Sequence, residues 1–129
     1  MKKAICLLLI TLLFISCDAQ QKKATVLAAP QQFEKEITKD KGQLIDVRTP
    51  EEFEAGHIGG AVNMNLHDED FKEHINTLDK DKTVYVYCKA GRRSAEAAAS
   101  LSSNGFIHIV ELEGGTNAWT AAGKPLSKS

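Results

Sequence analysis

One cysteine occupies a position where the predicted local structure favours a reactive thiol. Cys88 follows a β-branched and aromatic run, residues 83–87, and precedes an alanine-rich run, residues 95–99. This order predicts a strand, a tight loop and a helix, with the thiol at the carboxyl end of the strand. Open α/β sheets bind ligands at that end, where loop amides and the positive end of a helix dipole meet. We therefore expect the thiol to ionise easily.

The length of this loop distinguishes between two kinds of ligand. Four residues separate Cys88 from Arg93, and Ser94 stands where a cysteine phosphatase has its arginine. A phosphatase needs one more intervening residue to surround a tetrahedral phosphoryl group. The shorter loop favours a smaller bound group, such as one sulfur atom attached to Cys88. It argues against a phosphatase or an arsenate reductase.

The composition is that of one ordinary globular domain. The 129 residues are 43% apolar, and 16 basic against 17 acidic residues give a net charge of −1. This balance argues against a nucleic-acid binder.

Three histidines have no ligand spacing with a cysteine or a carboxylate cluster, so we expect no metal. They are His67, His74 and His108.

The first residues of the chain have the pattern of an export signal. Two lysines and thirteen mostly apolar residues precede Cys17, and this apolar run is too short to span a bilayer comfortably. Residues 13–17 resemble a bacterial lipobox, in which the cysteine is lipidated. We expect residues 1–17 to be a lipoprotein-type signal that places the protein in the periplasm or cell envelope, anchored to the membrane through Cys17. The alternative is plain secretion, with cleavage near Cys17 or Ala19.

This signal changes the number of cysteines available to the folded domain. Cys6 would leave with the signal and Cys17 would carry lipid, so Cys88 would be the only free thiol. An internal disulfide is then impossible, and a lone thiol in an oxidising compartment is expected to have a function. Residues 18–25 are polar and predict a tether, which leaves residues 26–129 as the folded domain.

Predicted strands and helices alternate along that domain. Strands are predicted at residues 43–47, 62–64, 83–87 and 106–110, and helices at 30–41, 50–56, 68–80, 93–103 and 114–123. Thr49 and Glu52 have the spacing of a capping box at the start of the second helix. The alternation predicts an α/β domain whose parallel sheet is covered by helices on both faces.

Three blocks of the sequence, in this order, resemble the single-domain rhodaneses, a family of thiosulfate and persulfide sulfurtransferases. Residues 44–61 match the family's DVR, E-F and GHI-x-GA signatures, and residues 86–94 match its active-site pattern C-x-x-G-x-R-S. Residues 112–119 match its closing L-x-GG-x-x-x-W. The resemblance covers about residues 26–126 and implies the rhodanese-like fold, a parallel sheet with helices on both faces.

The resemblance also implies a chemistry for the Cys88 loop. Cys88 would attack the outer sulfur of a donor such as thiosulfate, release sulfite and pass the resulting persulfide sulfur to a thiol acceptor, without a cofactor. Arg93 occupies the position of the family's loop arginine. Lys89 and Arg92 would attract an anionic donor. The alternative is that both are solvated charges of the loop without a role in binding. The substrate-binding residues implied are Lys89, Ala90, Gly91, Arg92, Arg93 and Ser94.

Other residues in the matching blocks are expected to support this site. The resemblance implies that Asp46 and Arg48 support the region near the loop, with Arg48 pairing with Glu52. His57 is expected to be structural as well, and Trp119 is expected to lie in the core.

Two other functions fit the same pattern. A persulfide carrier or redox partner would share Cys88 but turn over small donors poorly. A protein-binding module on a rhodanese-like scaffold usually lacks the nucleophile, whereas Cys88 and its loop are intact here. The oligomeric state and the physiological donor and acceptor stay open.

Overall fold

A computed structural model describes residues 25–40 and 42–128. The strands within these residues are β1 (Thr25–Ala28), β2 (Gln43–Asp46), β3 (Val62–Asn63), β4 (Val84–Tyr87) and β5 (Ile109–Leu112). The helices are α1 (Pro30–Lys39), α2 (Pro50–Ala55), α3 (Phe71–Ile75), α4 (Arg92–Ser103) and α5 (Gly115–Ala121).

The predicted signal, residues 1–17, lies outside the described residues, as does nearly all of the predicted tether, residues 18–25. Export, lipidation of Cys17 and the membrane anchor therefore stay predictions. Among the helices that the structure describes, none is long and apolar enough to cross a membrane.

The strands form one parallel sheet in the order β1-β5-β4-β2-β3. The central strand β4 is buried along its whole length because the sheet has a core on each face. Cys88, directly after β4, belongs to the core that contains Leu101 of α4. Tyr87 belongs to the opposite core, with Phe33 and Trp119. The predicted parallel α/β fold and the core position of Trp119 are confirmed.

The last strand lies further along the chain than predicted. The expected strand, residues 106–110, is wrong, because β5 covers Ile109–Leu112. Phe106 instead ends α4: after Gly105 turns the chain at a φ of 91°, the Phe106 N–H donates to a carbonyl in the last turn of that helix at 3.2 Å. A pattern based on apolar residues does not identify the end of this strand, because the side chain of Glu111 is polar.

The first strand is not predicted by the sequence pattern at all. β1 lies at the edge of the sheet and pairs only with β5. Val26 and Leu27 are 57% and 60% exposed, so the strand lacks the alternation of buried and exposed residues that identifies most strands.

The third helix is shorter than predicted. The apolar spacing over residues 68–80 correctly identifies Phe71 and Ile75 as buried, but α3 ends at Ile75. The Thr77 hydroxyl donates to the carbonyl of His74 at 2.6 Å, which satisfies a carbonyl at the helix end and helps to stop the helix.

The capping box at the start of α2 is confirmed. The Glu52 N–H donates to the Thr49 hydroxyl at 3.3 Å, and the Thr49 N–H donates to the Glu52 carboxylate at 3.4 Å. His57, just beyond the helix, stacks on the Phe53 ring, and its Nδ1 lies 2.8 Å from the Phe53 carbonyl. These contacts fix the helix that faces the Cys88 loop.

Candidate active site

The loop after β4 carries Cys88 to the start of α4, as the sequence predicts. Gly91 precedes the first residue of this 12-residue helix and adopts a φ of 107°, a conformation that glycine reaches without strain. This turn points the Gly91 N–H at the Cys88 sulfur, 3.0 Å away. The thiol is 1% exposed and lies at the positive end of the α4 dipole.

The closing glycine block holds the beginning of this loop. Two N–H groups in the first turn of α5 donate to loop carbonyls: Thr116 to Cys88 at 2.9 Å, and Asn117 to Lys89 at 3.0 Å. Gly115 has a φ of 59°, and a Cβ there would lie 2.6 Å from the Lys89 carbonyl oxygen. The glycine therefore allows a close contact between two backbones that any side chain would prevent.

The surroundings of Cys88 favour its thiolate. Burial raises the pKa of the Cys88 thiol, but hydrogen bonds of the sulfur with the Ser94 hydroxyl and with the N–H groups of Ser94, Gly91 and Ala90 outweigh it. The net result is a thiol pKa below its ordinary value. The expectation of an easily ionised thiol agrees with this geometry.

Ser94 connects the thiol to a buried carboxyl group. Its hydroxyl oxygen lies 3.4 Å from the Cys88 sulfur, 2.8 Å from Glu111 Oε1 and 3.1 Å from the Gly91 carbonyl oxygen. Burial raises the pKa of Glu111, and the hydrogen bond with Ser94 only partly offsets this effect. Glu111 was not identified from the sequence. The available signal was one acidic residue within the apolar run that leads into the closing glycine block.

Arg93 pairs with Glu52 on α2. The contact is bidentate, with Nη1 to Oε1 at 2.7 Å and Nη2 to Oε2 at 3.0 Å. The Arg93 guanidinium lowers the pKa of the Glu52 carboxyl to about 2. The expected pairing of Arg48 with Glu52 is wrong, because Arg93 occupies both oxygens of that carboxylate.

Arg48 pairs instead with Asp46, two residues earlier. Asp46 is fully buried, and its carboxylate accepts from Arg48 Nη2 at 2.7 Å and from Nε at 3.0 Å. Burial lowers the pKa of Arg48, but the hydrogen bond and charge of Asp46 outweigh it and raise that pKa. The same Nη2 donates to the Gly56 carbonyl at 2.7 Å, so the pair ties the end of β2 to the end of α2.

A small cavity lies beside the loop. Its volume is about 230 Å³, and its lining includes Arg48, Glu52, Lys89 and Thr116. Lys89 and Ala90 are exposed, as is Arg92 at the start of α4. The described residues show no cluster of three His, Cys, Asp or Glu side chains that could hold a metal. This cavity, which we call the mouth of the site, adjoins the loop that carries Cys88, and its lining includes the cationic residues Arg48 and Lys89.

The sequence profile of the Rhodanese-like domain matches residues 29–122. The chain belongs to this family. Its five-stranded parallel sheet also superposes on a rhodanese-related protein from Thermoplasma volcanium with a TM-score of 0.69 and 31% identity. That superposition covers 79% of this chain and 97% of the other.

Two curated relatives of this rhodanese-like domain are bacterial. A Bacillus subtilis protein, YqhL, is 48% identical over 79 residues, which are 61% of each chain. Thiosulfate sulfurtransferase PspE of Escherichia coli is 48% identical over 72 residues, 54% of this chain and 67% of PspE. The rhodanese-like domain thus spans less than two thirds of YqhL and about two thirds of PspE.

The ion pair between Glu52 and Arg93 predicts an acid-sensitive contribution to the stability of the rhodanese-like domain. Folding lowers the pKa of Glu52 from 4.5 to about 2, so the contribution is complete above pH 4.5 and is lost as the pH falls from 4.5 through 2. We expect Glu52→Gln, which keeps the capping acceptor, to lower the free energy of unfolding by about 1 to 2 kcal/mol at pH 7. Urea denaturation followed by circular dichroism measures this difference.

The matched control is Glu51→Gln, which removes an exposed carboxylate from the same turn of α2. The control should change stability much less at pH 7. Near pH 2.5, the difference in stability between wild type and Glu52→Gln should be much smaller than at pH 7. A destabilisation by Glu52→Gln that is the same at both pH values would contradict the ion-pair explanation.

Proposed function

We propose that the protein is a sulfurtransferase that carries a sulfane sulfur as a persulfide on Cys88. One observation carries the proposal: the Cys88 sulfur lies 3.0 Å from the Gly91 N–H at the start of the 12-residue helix α4. This position stabilises an anionic sulfur, and hydrogen bonds lower the pKa of the thiol. The similarity to a protein named thiosulfate sulfurtransferase supports the same activity.

In the first half-reaction, the Cys88 thiolate attacks the outer sulfur of a donor such as thiosulfate. A new S–S bond forms between Cys88 and that sulfur, while the S–S bond within thiosulfate breaks and its electron pair leaves with sulfite. The negative charge moves to the terminal sulfur of the persulfide. Loop N–H groups and the α4 dipole already point towards this region, so little reorganisation is needed to stabilise it.

In the second half-reaction, an acceptor thiolate, or cyanide in an assay, attacks the terminal sulfur. The bond to that sulfur from Cys88 breaks, and its electron pair restores the Cys88 thiolate. Sulfite and the Cys88 thiolate are both stable anions near neutral pH, so neither step requires a general acid. Cys88 is the only cysteine among the described residues, so within this part of the chain the persulfide has no thiol partner.

The mouth of the site favours small anions. The adjoining cavity of about 230 Å³ includes the side chains of Arg48 and Lys89 in its lining. Arg48 is neutralised by Asp46, whereas Lys89 is exposed at the loop. Lys89, together with exposed Arg92, would attract a doubly charged donor before it reaches the sulfur.

Steady-state kinetics with thiosulfate and cyanide test this proposal. Thiocyanate should form, and double-reciprocal plots at several cyanide concentrations should be parallel, since the two substrates react in separate steps. Intersecting lines would contradict a persulfide intermediate. Formation of a sulfur adduct without turnover of cyanide or small thiols would favour the persulfide carrier instead.

A further inference from the structure

A buried carboxyl group is connected to the Cys88 sulfur through a single hydroxyl group. The Ser94 oxygen lies 3.4 Å from the sulfur and 2.8 Å from Glu111 Oε1. Cys88, Ser94 and Glu111 are 1%, 0% and 5% exposed. They come from the loop directly after β4, from α4 and from β5, so the tertiary fold brings them together.

The Ser94 hydroxyl has one hydrogen, and its direction depends on the charge of Glu111. When Glu111 is ionised, the hydroxyl donates to the carboxylate and can only accept from the Cys88 thiol. When Glu111 is protonated, its O–H donates to Ser94, and the Ser94 hydrogen can then point to a Cys88 thiolate. The Gly91 carbonyl, 3.1 Å away, is a third acceptor for the same hydrogen.

We propose that Glu111 is a positioning residue that takes up the proton of Cys88 through Ser94. The S–H bond of Cys88 breaks as an O–H bond forms on Ser94, and the original Ser94 hydrogen moves to Glu111 Oε1. The thiolate thus forms without sending its proton through the substrate mouth. This inference rests on the proposed function, because it supplies the thiolate that attacks the sulfur donor.

The surroundings of Glu111 are consistent with a carboxyl group that exchanges a proton. It lines a groove of about 330 Å³, which shares no lining residue with the cavity at the mouth. The groove is lined by Thr25 of β1 and by Ala and Ser side chains of α4, none of which titrates or carries charge. In the described part of the chain, the titratable group that faces Glu111 is therefore Cys88, through Ser94.

Burial among these neighbours raises the pKa of Glu111, which brings it closer to that of the lowered Cys88 thiol. A proton is shared efficiently only between groups of similar pKa. Proton release from Glu111 into the separate groove would leave the mouth free for the sulfur donor.

The pH dependence of Cys88 alkylation by iodoacetamide tests the connection, because only the thiolate reacts and no sulfur donor is needed. In wild type, two groups that share a proton should give a profile with two steps. Glu111→Gln should give one step, about one pKa unit below the upper wild-type step, because no carboxylate repels the thiolate. Ser94→Ala should also give one step, but at higher pH than Glu111→Gln, because the hydroxyl donor is gone.

The matched control is Glu113→Gln, which removes an exposed carboxylate two residues away. This variant should keep both steps, and circular dichroism should show that every variant is folded. A single step in wild type, or two steps in Glu111→Gln, would overturn the connection. Because alkylation requires no sulfur transfer, that result would leave the proposed sulfurtransferase untouched, whereas absence of thiocyanate formation would count against the proposed function alone.

Discussion

Replacing Cys88 with serine is expected to reduce thiocyanate formation from thiosulfate and cyanide by at least about a thousandfold. Serine has nearly the same shape and can accept the Gly91 hydrogen bond, so the fold should be preserved. Its alcohol, however, does not ionise near neutral pH and cannot form a persulfide. A colorimetric thiocyanate assay with wild type and Cys88→Ser under identical conditions measures the loss.

The matched control is Cys17→Ser, which replaces a cysteine outside the residues that the structure describes. This variant should have wild-type turnover, because the proposed chemistry needs only Cys88. Substantial thiocyanate formation by Cys88→Ser would contradict the assignment of Cys88 as the sulfur carrier.

Replacing Gly115 with alanine is expected to destabilise the domain by about 3 kcal/mol or more, since backbone strain and overpacking add together. The new Cβ would lie 2.5 Å from the Lys89 carbonyl carbon and 2.6 Å from its oxygen. These backbone atoms are held by α5, so they cannot move without moving the start of the Cys88 loop. Urea denaturation should reveal the loss of stability, and alkylation of Cys88 should reveal the altered loop.

Gly123→Ala provides a matched control for backbone strain. Gly123 also has a positive φ, 77°, but a Cβ there would have no neighbour within 4 Å. It should cost only about 1 to 2 kcal/mol and should leave the pH dependence of Cys88 alkylation unchanged. Equal destabilisation by the two variants would contradict the close backbone contact at Gly115.

The three sequence blocks that carry the family resemblance meet around the Cys88 loop. The first block contributes Glu52, which holds Arg93 at the start of α4. The closing block contributes Gly115, which allows α5 to approach the loop and donate hydrogen bonds to it. The Cys88 loop therefore depends on distant residues that fix its backbone.

The sequence predicted the strand, loop and helix around Cys88 well because the controlling signals are local. An apolar strand, Cys88, a short loop with Gly91 and a helix-forming run are contiguous in the chain. Local signals also identified the α2 capping box, since Thr49 and Glu52 are three residues apart. The parallel sheet followed from the alternation of strands and helices.

The side-chain partners could not be predicted, because they depend on tertiary packing. Arg48 was expected to pair with Glu52, yet Arg93 reaches that carboxylate across 41 positions of sequence. Glu111 reaches Ser94 across 17 positions and lies in a strand whose predicted end was two residues too early. Charge and spacing identify candidate partners, but only the packed sheet and helices decide between them.

Intact mass spectrometry of the protein after incubation with thiosulfate tests the central claim most directly. Wild type should gain the mass of one sulfur atom, lose it on addition of cyanide and release one equivalent of thiocyanate, whereas Cys88→Ser should gain nothing. A wild-type protein that gains no sulfur, or a Cys88→Ser protein that gains it equally well, would contradict sulfur transfer through a Cys88 persulfide.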